Sequence, residues 1–123
     1  MSKQVLDVGN CDPDHEAIAA LLQSSFRVDL TRAHGKADAQ LAQEHGPFDL
    51  VVVNRVIDRD GSEGLSVIEA IKRDSRWQDL PVMMITNLPE HQARAIEAGA
   101  VPGFGKASLH APATIDSLRP FLQ

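Results

Sequence analysis

The 123-residue sequence has a single cysteine, Cys11, which excludes an intrachain disulfide and fits a reducing compartment. Basic residues are in deficit. Twelve Lys+Arg against seventeen Asp+Glu leave a formal charge of −5, which argues against electrostatic capture of DNA, RNA or an anionic membrane surface. No apolar run reaches the roughly 18 residues of a membrane span. The opening Met-Ser-Lys-Gln has no signal-peptide pattern, so the expected location is the cytoplasm. Internal repeats, low-complexity stretches and linkers are missing, and residues 1–123 read as one domain. No Gly-rich loop of the P-loop or dinucleotide type is present. The five histidines (His15, His34, His45, His91, His110) lack metal-ligand spacing and fall at predicted surface positions. Ser24, Ser25, Ser66 and Ser108 have no nucleophile elbow around them. Cys11 lies beside a predicted helix N-terminus but has no resolving partner, so it reads as packing. These absences leave no expected cofactor and no expected enzymatic activity.

What is present is a regular alternation. Val5–Val8 reads as a short strand, and Asp12-Pro13 as an N-cap followed by proline at the first helical position. Ile18, Leu21 and Leu22 continue that helix. A second strand over Arg27–Ala33 and a short helix through Ala37, Leu41 and Ala42 follow, ending before Gly46-Pro47. Leu50-Val51-Val52-Val53 and Val82-Met83-Met84-Ile85 are continuous apolar runs, the mark of strands buried on both faces. Helices are expected from Leu65 through Ile71, from Pro89 to Ala98, and from about Pro112 to Leu122, with a last strand at Val101–Phe104. Five strand–helix units of this length imply a parallel, doubly wound α/β sheet covered on both sides. In such a sheet chemistry belongs at the carboxyl ends of the strands, here Gly9–Asp12, Asn54–Asp60, Thr86-Asn87 and Gly105-Lys106.

Several of these stretches carry a resemblance. Phe48–Val53, Gly64–Lys72 followed by Trp77–Thr86, Ala95–Ala100, and Lys106 occur in the order and at the distances of the receiver domain of two-component response regulators, over essentially the whole chain. The resemblance implies a flavodoxin-like (βα)5 fold with strand order 2-1-3-4-5. It also places the family's phospho-acceptor aspartate at Asn54, its acidic pair at Gly9 and Asn10, its Ser/Thr at Thr86, its lysine at Lys106 and its aromatic switch at Gly103. The proline that follows the lysine in the family is Ala107, so a trans Lys106–Ala107 bond is expected, a cis bond before a non-proline residue costing about 3 kcal/mol. The loop from Asn54 to Gly64 is about two residues longer than the family's, by the lengths usual for such connections.

Read this way, the chain is a pseudo-receiver. An amide is a poor nucleophile and Mg²⁺ needs carboxylate oxygens, so no acyl phosphate and no metal are expected at Asn54. Lys106 is then either a structural plug bonded to Asn54, Thr86 and strand-end carbonyls, or an anion site shared with Thr86. The alternative chemistry is a phosphorylatable receiver that uses Mg²⁺ and a displaced carboxylate, from Asp12, Asp58, Asp60 or Asp7. Asp12 is otherwise a helix cap, Asp58 and Asp60 a solvated turn. Asp7, if inside the first strand, needs a buried partner such as Arg32. The resemblance further implies protein partners, a histidine kinase or an output protein, and allows a homodimer through the face of the fourth helix, fifth strand and fifth helix. Glu90, His91, Arg94, Glu97 and Phe104 are the residues expected on that face.

Overall fold

The runs at Leu50–Val53 and Val82–Ile85 are buried along their whole length, as strands covered on both faces must be. In the computed structural model, which describes residues 2–123, they are the centre of a five-stranded parallel sheet. The strands are β1 (Lys3–Val8), β2 (Val28–Ala33), β3 (Leu50–Asn54), β4 (Val82–Ile85) and β5 (Val101–Phe104), in the order 2-1-3-4-5. The helices are α1 (Asp12–Ser25), α2 (Lys36–Glu44), α3 (Gly64–Arg73), α4 (Pro89–Glu97) and α5 (Pro112–Leu122), with a single 3-10 turn at Lys106–Ser108. This is the doubly wound parallel α/β sheet that the alternation implies, in the flavodoxin-like strand order that the resemblance implies.

Side chains one residue apart in a strand face opposite ways, and the core divides accordingly. Leu6, Val8, Val51, Val53, Val82 and Met84 pack beneath α2, α3 and α4, meeting Ala39, Val67, Ile68, Ile71 and Ala95. Val5, Leu50, Val52, Met83 and Ile85 pack beneath α1 and α5, meeting Ile18, Leu22, Leu118 and Leu122. Trp77 packs against the first of these clusters just past the end of α3.

Two features near the strand ends differ from the sequence reading. Cys11, not Asp12, is the N-cap of α1, and it makes no side-chain capping bond. Asp12 is the first helical residue and Pro13 the second, and the Asp12 carboxylate pairs with an arginine described below instead of capping the helix. In β5, two residues oppose one of β4: Met83 pairs with Val101 and Ile85 with Phe104, leaving Pro102 and Gly103 opposite Met84. This bulge at Pro102-Gly103 turns the last residue of the strand inward. Phe104 is therefore 5% exposed and belongs to the core under α1 and α5, not to a contact face.

Candidate functional site

The switch in strand order lies between β1 and β3, and the polar residues gather above it. Asn54 ends β3, Thr86 follows β4 and Lys106 follows β5. Together with Arg55, Val56, Asn87 and Leu88 they line a cleft of about 390 Å³. Within that cleft the Asn54 amide is committed to the backbone. Its Nδ2 donates to the Val56 carbonyl at 2.6 Å and lies 3.5 Å from the Gly9 carbonyl. The Thr86 hydroxyl accepts from the Leu88 N–H at 3.2 Å.

Lys106 does not bond Asn54 or Thr86, as a plug would. Its Nζ donates to Asp14 Oδ2 at 2.6 Å. A charge-assisted bond to a carboxylate is worth about twice one to a neutral amide, so the lysine follows Asp14. The Lys106 hydrogen bond, and then one from the Cys11 thiol, hold the Asp14 carboxyl below its ordinary range. Asp14 was not among the acids singled out from the sequence, although helical geometry gives the signal. Two residues apart on a helix means about 200° of rotation, so Asp12 and Asp14 face opposite sides of α1. Asp12 turns to β2, where its Oδ1 meets Arg32 Nη1 at 2.7 Å, and it lines no part of the Asn54 cleft. The Arg32 hydrogen bond lowers the Asp12 pKa.

Above Gly9, where the family's acidic pair would begin, stands a hydrocarbon side chain. The loop between β3 and α3 folds into a small hairpin: Val56 bridges Glu63, Ile57 N–H donates to the Ser62 carbonyl at 2.9 Å, and Asp58 N–H donates to the Gly9 carbonyl at 2.9 Å. This drives buried Ile57 down onto Gly9, whose φ is 81°, and a Cβ at Gly9 would overlap the Ile57 Cδ1 atom. The loop thus covers Gly9, at the end of β1, with an apolar side chain. Asp58 and Asp60 sit exposed at the hairpin tip, where Asp60 accepts from Ser62 N–H and Oγ and is held low by them.

Asp7 lies inside β1 and is 1% exposed. Its register neighbour on β2 is Arg32, but the two side chains do not pair. Arg32 reaches past it to the Asn10 carbonyl at 2.9 Å and to Asp12. The partners of Asp7 are Asn10, whose Nδ2 donates to Oδ1 at 2.5 Å, and His15, whose Nδ1 lies 2.6 Å from Oδ2. His15, one helical turn into α1, overhangs the end of β1, so it is half-buried and not a free surface histidine. Both oxygens of Asp7 are engaged before they could face Asn54. Among the described residues no group of three or more His, Cys, Asp or Glu side chains is placed to hold a metal ion.

Gly103, which the resemblance aligns with an aromatic residue, has no room for a side chain. A Cβ on Gly103 would overlap the Met84 carbonyl oxygen, so only glycine fits this turn of β5. The bulge leaves backbone groups open, and Gln92 of α4 closes them. Its Nε2 donates to the Met84 carbonyl at 2.9 Å and the Thr86 carbonyl at 3.3 Å, while its Oε1 accepts from Gly103 N–H at 3.0 Å. Gln92 was missed in the sequence because nothing local marks a surface-helix glutamine as a sheet clamp. Asn87 Oδ1 accepts from Ala107 N–H at 3.0 Å, and the Lys106–Ala107 bond is trans. On the outer face, Glu90, Arg94 and Glu97 are exposed and His91 half-buried.

No family model matches the chain, and no curated protein matches it in sequence. Its similarity is to solved structures. The signal receiver domain of a DNA-binding response regulator from Colwellia psychrerythraea superposes with a TM-score of 0.80 at 18% identity, covering 97% of each chain. Chemotaxis protein CheY4 of Vibrio cholerae gives 0.78 at 18% identity, covering 99% of this chain and 100% of that one. A Burkholderia pseudomallei response regulator with a phosphorylated aspartic acid and a calcium ion gives 0.74 at 20% identity, covering 99% of this chain and 67% of that one. The shared property is the fold of receiver domains.

Proposed function

We propose that this chain is a receiver-fold signalling module of a two-component or phosphorelay pathway, working in the cytoplasm by protein contact and without phosphorylation at the acceptor position. One observation carries the reading: at the acceptor position stands an amide, Asn54, with its N–H2 donating to the Val56 carbonyl. Phosphoryl transfer to a receiver needs an anionic oxygen to attack phosphorus and a cation to offset the charge that builds up. The amide oxygen supplies neither charge nor sufficient nucleophilicity.

The fit to a divalent metal is equally poor. Mg²⁺ gives up its water reluctantly and is held through carboxylates. Here the equivalent positions are Gly9, covered by Ile57, and Asn10, tied to Asp7. The one carboxylate that reaches Lys106, Asp14, is neutralised by it. A free anion would have to displace Asp14 from Lys106, which counts against an anion sensor there. The Gln92 clamp across the sheet edge and the glycine at the switch position fit a face of fixed shape. Glu90, Arg94 and Glu97, with His91 beside them, are the groups we assign to contact with a kinase, an output protein or a second copy.

Incubation with acetyl phosphate and Mg²⁺, followed by intact-mass measurement, tests the reading. The expected spectrum contains the unmodified mass alone. A stoichiometric phosphoryl adduct would overturn phosphorylation independence and return the function to a displaced carboxylate.

A further inference from the structure

We propose that a second cleft, at the amino ends of β3 and β4, binds a small planar heterocycle with adjacent hydrogen-bond donor and acceptor atoms, of the nucleobase class and without phosphate. This cleft, of about 470 Å³, lies at the opposite end of the sheet from Asn54. A volume of that size is ordinary for a small-molecule site.

The observation that points to a ligand is Gln43, in the last turn of α2. It lines the cleft and is 6% exposed, yet neither its Oε1 nor its Nε2 has a hydrogen-bond partner among the described residues. Buried polar groups are nearly always satisfied, and the exceptions ask for an explanation. A carboxamide presents one acceptor and two donors in a plane, the pattern that pairs in bidentate fashion with the donor–acceptor edge of a base such as adenine. Satisfying it recovers a desolvation cost already incurred in folding.

The other walls suit the same ligand. Phe48 and Trp77 line the cleft as half-buried rings and give it apolar wall, one face of Trp77 being covered by Arg76. The Arg76 guanidinium lies 4.1 Å from the Trp77 ring centroid and is paired with Asp74 at 2.8 Å, which takes up its charge. Asp49 and Asp79 also line the cleft. Two carboxylates with the arginine already neutralised repel a phosphate, so the free base is preferred to the nucleotide. Because the Gln43 amide atoms are shielded from solvent, binding requires the wall formed by residues 76–81 to move aside.

Trp77 is the only tryptophan of the chain, so its fluorescence reports on this cleft alone. Titration with adenine is expected to give saturable quenching with a Kd below about 1 mM, roughly tenfold weaker in Gln43→Leu. AMP is expected to bind several-fold more weakly than adenine. Gln43→Leu removes an orphan amide and retains the fold, which a melting temperature at or above that of the unchanged protein verifies. On isotopically labelled unchanged protein, the Gln43 carboxamide resonances are expected to shift with adenine. Absence of saturable quenching, undiminished affinity in Gln43→Leu, equal or tighter AMP binding, or an unmoved Gln43 carboxamide would each overturn the proposal.

Discussion

Replacing Asp7 with alanine is expected to lower the unfolding free energy by about 3–5 kcal/mol, a large share of the 5–15 kcal/mol typical of such a domain. The carboxylate sits in the second strand from the edge, out of water, and holds both Asn10 and His15. Removing it leaves the Asn10 amide and the His15 N–H facing hydrocarbon, with the desolvation cost of each now uncompensated. The double replacement Asp7→Leu with His15→Leu is expected to recover the share of the loss due to His15, while the buried Asn10 amide stays unpaired and keeps its share. Urea unfolding of the single and double variants checks both statements. A loss below about 1 kcal/mol for Asp7→Ala would show that the cluster is not a structural unit.

Gly103→Ala is expected to cost about 3 kcal/mol and to lower the Tm by roughly 10 °C. The added Cβ would overlap the Met84 carbonyl oxygen, with the Met84 carbonyl carbon and nitrogen only 3.2 Å away. These are backbone atoms in the core of the sheet, not the free end of a flexible side chain. Relieving the overlap forces β5 away from β4 and breaks the three contacts that Gln92 makes across the bulge. A larger aromatic at this position, the residue type the receiver resemblance would put there, is expected to do more damage, not to restore a switch. Thermal melts of Gly103→Ala beside the unchanged protein decide the point, and equal melting temperatures would contradict the packing described for β5.

Much of the architecture was legible because it rests on local pattern. Continuous runs such as Leu50–Val53 can be little else than buried strands, and Val67, Ile68 and Ile71 mark the inner side of α3 through their spacing. Asn54, Thr86 and Lys106 were placed together by topology alone, since all three end or follow neighbouring strands.

What was illegible depended on the third dimension. Arg32 is the sequence-level partner for Asp7 by strand pairing, yet His15 wins because the first turns of α1 hang over the end of β1. Phe104 was placed on the contact face because the resemblance puts the fifth strand there, and the bulge at Pro102-Gly103 turns it to the core. Ile57 gave no sign of its position because a loop's path over a neighbouring strand end is not encoded in its period. Asp14 was readable in principle from its angular offset to Asp12, which separates a β2-facing acid from a β5-facing one.

Titrating Mg²⁺ into isotopically labelled protein while following the amide resonances of Gly9, Asn10, Asn54 and Lys106 examines the heart of the matter, the unfitness of this cleft for a divalent cation. With the Asn54 amide donating to Val56 and Ile57 covering Gly9, these resonances are expected to stay where they are apart from small, unsaturating drifts. Saturable shifts centred on Asn54 at millimolar Mg²⁺ would contradict the reading of the cleft as closed to metal and phosphoryl chemistry.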